Sequence, residues 1–276
     1  MLVNFKDILA DAKKNKYGVG LFNTVNLEMA KGVLSAAEEL RAPVIIGSAE
    51  VLLNCSELTE LSAMLKPLAE KATVPVVLHL DHGLTEERVR EAVSLGFTSV
   101  MYDCSAKPYE ENKKALAEIV KFAHSHNVTV EGELGHVGSN ANSADNNIYT
   151  EPLEAKEFAE ATGVDALAVA IGTAHGVYKE KPVLDIGRLR EIAEVVSVPL
   201  VLHGGSGLSD DDFRNTIANG ISKVNIFTDI NTALCRYVHD NWTENLGYTK
   251  LMPGAVEAVK QVVMRKMKLF GSDGRY

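Results

Sequence analysis

The sequence predicts an α/β protein, a (β/α)8 TIM barrel, and three observations predict it. Short apolar runs alternate with amphipathic stretches along nearly the whole chain, the rhythm of βα units wound on a parallel sheet. Eight such units can be counted, and 276 residues is a length at which eight units close as one domain, residues 1–276. The third observation is where the histidines fall: His82, His175 and His203 each follow an apolar strand-like run. In an open doubly wound sheet the first strand would lead into G-x-G-x-x-G, whereas here it leads into Asn23-Thr24-Val25-Asn26.

The strands are read over Tyr17 to Phe22, Pro43 to Gly47, Pro75 to Asp81 and Ser99 to Asp103, then over Thr129 to Leu134, Ala166 to Gly172, Pro199 to His203 and Lys223 to Phe227. Three open on proline, where a missing N–H at the first strand residue is tolerable. Between them, Thr85-Glu86-Glu87-Arg88 opens a helix running to Leu95, and Ser209-Asp210-Asp211-Asp212 opens one running to Ala218. Glycines at Gly96, Gly163 and Gly220 read as helix stops. The polar stretch Gly138 to Asn147 follows the fifth strand and is a candidate lid over the barrel mouth. Thr228 to Leu246 and Pro253 to Phe270 read as two extra C-terminal helices, the second a candidate contact with a neighbouring subunit.

Composition narrows the class of partner. A 46% hydrophobic and 24% charged chain folds around a core, and a formal charge of −9 offers no positive field for nucleic acid or an anionic membrane. An anionic small molecule must then be captured by local devices: a metal, backbone N–H groups or single basic residues. Cys55, Cys104 and Cys235 are widely spaced with no C-x-x-C pair, as in a reducing compartment. The opening M-L-V-N-F-K-D lacks an apolar signal core, and the expectation is a soluble, cytoplasmic protein.

In a parallel barrel all strand ends of one sense share a mouth, so His82, His175 and His203 would meet there, where neutral imidazoles can hold Zn²⁺ with one position open. Asp81, Asp103 and Glu133 fall at the same ends, placed to hydrogen-bond the imidazoles or to take the metal themselves. His79, inside its strand, reads as core packing. Gly204-Gly205-Ser206-Gly207 and Asn225-Ile226-Phe227-Thr228, after the seventh strand and before a helix, form a candidate anion pocket of backbone N–H groups. No lysine lies in A-L-A-V-A-I-G of the sixth strand, and Lys223 sits at the wrong end of the eighth for a Schiff base, so carbonyl chemistry would fall to the metal.

These motifs together resemble the class II, metal-dependent ketose-bisphosphate aldolases, a family that includes fructose-bisphosphate and tagatose-bisphosphate aldolases. The likeness is carried by F-N-x-x-N-x-E at Phe22 to Glu28, H-L-D-H-G at His79 to Gly83, G-F-T-S-V-M-Y-D at Gly96 to Asp103 and E-L-G-x-V-G at Glu133 to Gly138. It continues through G-T-A-H-G-V-Y-K to Lys179, L-H-G-G-S-G at Leu202 to Gly207 and K-V-N-I-x-T-D at Lys223 to Asp229. The resemblance implies that His82, His175 and His203 bind catalytic Zn²⁺ and that Asp103 and Glu133 match a second or displaced divalent-metal site. Asp81 matches the proton donor. Gly176, Gly204, Ser206, Asn225 and Thr228 match positions holding dihydroxyacetone phosphate, with Gly205, Ile226 and Phe227 in the same two segments and Asn23 and Ser48 nearby. Some relatives also hold a monovalent cation by the phosphate. The implied activity is reversible cleavage of a ketose phosphate through a zinc-stabilised enediolate, in carbohydrate metabolism such as glycolysis, by a homodimer or larger homo-oligomer.

Three positions depart from the family pattern. The stretch Ser139 to Asn147 carries only Asp145 where many relatives have a glutamate, Gly247 to Leu251 lacks the D-P-R arginine that binds a second phosphate, and Phe227 replaces a polar residue. Two other readings stay open at this point: a regulatory sugar-phosphate-binding barrel without turnover, and a zinc barrel hydrolase.

Overall fold

The computed structural model describes residues 1–135, 149–174 and 182–276. The candidate lid, His175 and Gly176 therefore lie outside the described residues. The chain begins with a short strand, β1 (Leu2–Val3), and a helix, α1 (Phe5–Asn15), that the sequence reading did not anticipate. Asn4 starts α1 by a capping box: its side chain accepts from Lys6 N at 3.0 Å while Asp7 accepts from Asn4 N at 3.0 Å.

The predicted βα rhythm follows. In order come β2 (Val19–Asn23), α2 (Leu27–Leu40), β3 (Val44–Ala49), α3 (Leu58–Lys71), β4 (Val76–Gly83), α4 (Glu86–Ser94), β5 (Ser99–Tyr102) and α5 (Tyr109–Ser125). They are followed by β6 (Thr129–Leu134), α6 (Pro152–Thr162), β7 (Ala166–Val169), α7 (Ile186–Val195), β8 (Leu200–Leu202), α8 (Asp210–Ala218) and β9 (Ile221–Ile226). Strands β2 to β9 pair in parallel, each with its sequence neighbours, and the β2–β9 pairing of Leu21 with Asn225 closes the ring. This is the expected (β/α)8 barrel. The helix starts read from sequence hold: Thr85 caps α4 and Ser209 caps α8. The glycine stop at Gly163 is a left-handed C-cap with φ 72°.

Strand alternation separates two cores. Val19, Leu21, Ile45, Val77, Ala166, Ala168 and Val201 point into the barrel, where Phe5, Ile8 and Leu9 of α1 seal its floor. Burying each of those three side chains is worth roughly 1.5–3 kcal/mol. The opposite strand faces, among them Ile46, Leu78, Val100 and Val130, pack under the outer helices.

The C-terminal pair differs from the sequence expectation in its bounds. The helices are α9 (Thr228–Asn241) and α10 (Tyr248–Phe270), with Pro253 inside α10 rather than opening it. Leu251, Ala255, Val259, Val263, Met267 and Phe270 form a buried stripe that packs on α2 and α8 of the same chain, so α10 completes the outer helical ring. It is α9, with only Ile230 buried, that presents surface outward.

Candidate active site

Two neighbouring residues on β4 define the site. Adjacent strand residues normally point to opposite faces. Here His82 takes a left-handed φ of 44° and the pairing with β5 shifts register between Leu80 and Gly83, a bulge that lets Asp81 and His82 reach the same mouth. A non-glycine residue in that region is strained, and such strain gathers at functional sites.

Asp81 is buried and clamped. Asn23, at the end of β2, donates from Nδ2 to its Oδ2 at 2.8 Å, and Asn225 on β9 donates from Nδ2 to its Oδ1 at 2.9 Å. Burial alone would push the carboxyl up, but the nearby His82 and Lys223 charges hold it well below the ordinary carboxylate range. Asn23 and Asn225, read from sequence as substrate contacts, thus first of all orient the carboxylate.

The imidazoles are held by carboxylates in turn. Asp103 Oδ2 lies 2.8 Å from His82 Nδ1, while its Oδ1 accepts from the Ser105 amide at 3.1 Å and hydroxyl at 2.7 Å. His203, the residue after β8, has Nε2 at 2.8 Å from Glu131 Oε1 and Nδ1 at 3.2 Å from Glu133 Oε2. Burial opposes its charge, yet these two carboxylates raise the imidazole to about 10. The His82 and His203 rings meet edge-on with centroids 4.5 Å apart. Ligand atoms of Asp81, His82 and His203 lie within 4.8 Å of one another, as do those of His82, Asp103 and Glu133.

This donor set fits a divalent metal. Asp103 holds His82 at Nδ1 and Glu131 holds His203 at Nε2, the arrangement that fixes ring direction for metal-binding imidazoles, while Glu133 stands 3.2 Å from His203 Nδ1 as a further oxygen donor. His82 would ligate through Nε2 and His203 through Nδ1. His175 is outside the described residues. Ala174, the last described residue before it, packs against the residue that follows His203: a Cβ on Gly204 would stand 2.3 Å from the Ala174 carbonyl oxygen, and Gly204 has φ 65°. Glycine is required there by both measures.

The two segments read as a candidate anion pocket lie side by side. Gly205 packs against the end of β9, where a Cβ would meet the Asn225 carbonyl oxygen at 3.1 Å, so the loop carrying Gly204, Gly205 and Ser206 borders Asn225 and the start of α9 at Thr228. Ile226 turns outward into the helix layer, so only its backbone can face a ligand, and Phe227 is half-buried. Ser48 is buried beside β4, paired in register with Leu80, next to Asp81.

Sequence reasoning passed over two residues. Glu131 shares the inward face of β6 with Glu133, a period of two that could have revealed it. Lys223, set aside as misplaced, is fully buried with Nζ 2.9 Å from Glu131 Oε2 and 2.6 Å from Asn225 Oδ1. Burial and the Lys223 charge hold His79, which contacts Ser99 Oγ at 3.0 Å, neutral with its imidazole down at about 3.

A closed parallel barrel with paired imidazoles and a clamped carboxylate at one mouth defines a barrel enzyme of the aldolase kind. The family model for fructose-bisphosphate aldolase class II matches residues 3–275, and the chain belongs to that family. It is 41% identical to a fructose-bisphosphate aldolase of Staphylococcus aureus over 282 aligned positions, covering 99% of each chain. Its fold superposes on the crystal structure of the YdjI aldolase from Escherichia coli K12 with a TM-score of 0.92 and 40% identity, covering 100% of this chain and 99% of that one. Among the described residues, no helix is long and apolar enough to cross a membrane.

Proposed function

We propose that the enzyme, as one domain over residues 1–276, catalyses the zinc-dependent, reversible cleavage of a ketose 1-phosphate or 1,6-bisphosphate to dihydroxyacetone phosphate and an aldehyde. The observation that carries this reading is the bulge on β4, which puts a clamped carboxylate, Asp81, covalently beside His82 and within 4.8 Å of the His203 cluster. His82, His203 and His175 would hold Zn²⁺, with Asp103 and Glu133 offering a second position. Bound there, the ion supplies Lewis-acid withdrawal of charge from a ketone oxygen, worth several kcal/mol in metal catalysis.

The protein's own groups do the rest. Asp81, kept ionised, removes the proton from the substrate hydroxyl as the carbon–carbon bond breaks, and returns it to the aldehyde oxygen in condensation. Asn23 and Asn225 fix the carboxylate's direction so that no reorientation is needed in the transition state. Backbone N–H groups of Gly204, Gly205 and Ser206, with the start of α9 at Asn225 to Thr228, receive the phosphate, the device that a chain of net charge −9 requires.

At the other substrate end, the stretch Gly247 to Leu251 opens α10 without the family's arginine, and Tyr248 instead donates to Glu28 Oε1 at 2.6 Å. This supports a relaxed aldehyde pocket that accepts unphosphorylated or differently charged aldehydes; for a bisphosphate, Lys250 or Arg265 would have to substitute for the arginine. The free thiols Cys55, Cys104 and Cys235 support a cytoplasmic setting. Exposed Trp242 and Tyr248 beside the outward α9 support a homodimer or larger homo-oligomer. The test is a cleavage assay on the zinc-loaded enzyme comparing kcat/KM for fructose 1,6-bisphosphate and a panel of ketose 1-phosphates. No cleavage of any ketose phosphate overturns the function, and a strong preference for the bisphosphate overturns the relaxed pocket.

A further inference from the structure

Lys223 has no part in the chemistry above, yet it is the buried centre of the site. It lies on β9 with no exposed surface, and a buried ammonium needs both a counter-charge and acceptors for its hydrogens. It finds Glu131 Oε2 at 2.9 Å and Asn225 Oδ1 at 2.6 Å, with the Phe5 ring of α1 5.9 Å away. Each polar partner continues into the site. The other oxygen of Glu131 contacts His203 Nε2 at 2.8 Å, and the amide nitrogen of Asn225 donates to Asp81 at 2.9 Å.

We propose that Lys223 is a positioning residue for the aldol reaction, its ammonium fixing Glu131 against His203 and Asn225 against Asp81, so that one side chain sets both the metal-binding imidazole and the proton-transferring carboxylate. This rests on the function proposed above. The physical reason is that an ammonium can only donate. Facing it, Asn225 must present its oxygen, which turns its N–H groups toward Asp81. Glu131 must likewise give one oxygen to the ammonium, which leaves the other for His203 Nε2 and keeps Nδ1 as the ring nitrogen on the side of Glu133. His79 Nε2 stands 4.0 Å from both Asp81 Oδ1 and Glu131 Oε2, too far to donate to either carboxylate in place of Asn225 or Lys223.

The experiment compares Lys223→Met, Lys223→Arg, Glu131→Gln and the double variant Lys223→Met/Glu131→Gln with the parent enzyme. Zn²⁺ affinity of the metal-free proteins is read by competition with a chelating dye, and kcat and KM are read at saturating Zn²⁺. Lys223→Met is expected to weaken Zn²⁺ binding about 10- to 100-fold, the range for loss of a group that orients a metal ligand. It is also expected to lower kcat while KM stays within about threefold. In the Glu131→Gln background, Lys223→Met should lower kcat again yet leave Zn²⁺ affinity within about twofold, because the path through Glu131 is already cut. Lys223→Arg, which keeps the charge, should bind Zn²⁺ more tightly than Lys223→Met.

The double variant removes the whole ion pair, so it serves where Lys223→Met leaves Glu131 unpaired and does not fold. Equal, additive losses of Zn²⁺ affinity in the two backgrounds would overturn the inference. So would an unchanged kcat in the double variant relative to Glu131→Gln. A parent enzyme that neither binds Zn²⁺ nor cleaves ketose phosphates overturns the functional reading and this inference together, whereas a normal parent with insensitive variants overturns this inference alone.

Discussion

Replacing Asp81 by asparagine tests the site at its most defined point. The substitution keeps size and removes the ability to take a proton. Proton transfer by a positioned side chain contributes about 10²- to 10⁴-fold, which is ~2.7–5.4 kcal/mol of barrier. A second cost comes from the clamp. Both Asp81 oxygens accept from amides, at 2.8 Å from Asn23 and 2.9 Å from Asn225, whereas an asparagine offers one oxygen and one NH₂. One amide then faces a donor, at a cost of about 1–3 kcal/mol for the unsatisfied buried group. The expected result is a cleavage kcat at least about 10²-fold lower, in a folded protein with reduced thermal stability. Asp81 acts on the hydroxyl proton and not on the carbon-bound one. Exchange of a carbon-bound proton of dihydroxyacetone phosphate with deuterated water, followed by NMR without aldehyde, should therefore fall by less than about tenfold. Equal loss of cleavage and exchange, or cleavage within about tenfold of the parent, would refute the assignment.

Three further outcomes follow from the same geometry. Asp103→Asn should weaken Zn²⁺ binding about 10- to 100-fold by loosening His82, a change that a dye-competition titration would register. Metal-free protein holds His203 protonated up to about 10, raised from 6.5, so its contribution to stability is complete below pH 6.5 and is lost as pH rises through about 10. Zn²⁺ must displace that proton, so its apparent affinity should rise about tenfold per pH unit between pH 7 and 9, and calorimetry in buffers of different ionisation enthalpy should show proton release. A pH-independent affinity would contradict this. Exhaustive chelation should abolish cleavage while leaving the far-ultraviolet circular dichroism unchanged, because the barrel core of Leu21, Ile45, Val77 and Val201 contains no ligand.

Much of the architecture was legible because apolar runs and helix caps recur with the βα period. The strand carrying Thr129 to Leu134 was read to the residue, although one of its faces carries Thr129, Glu131 and Glu133 and only the other, with Val130 and Leu134, is apolar. The N-terminal α1 was not read, although Asn4 and Asp7 carry a capping-box pattern, because it precedes the first βα unit and breaks the rhythm used to find the rest. The site was legible as residue types at strand ends, and only in part as contacts. That Asn23 and Asn225 meet on Asp81 depends on which strands lie across the barrel from one another, information that no local window holds. Lys223 was set aside because depth in a barrel was taken as distance from the chemistry, whereas a chain of two hydrogen bonds spans that depth. What covers the apolar stripe of α10 was out of reach for a related reason: the stripe shows that something covers it, and only the fold shows that α2 and α8 do.

The distortion at His82 has one more consequence. Two reacting partners gathered from separate strands would drift apart whenever the barrel breathes, since packing alone would set their spacing. Here the acid and the metal-directed ring are attached to successive α-carbons, about 3.8 Å apart across a trans peptide. The peptide bond itself acts as the ruler, and that interval survives thermal motion, temperature and sequence drift in the surrounding walls.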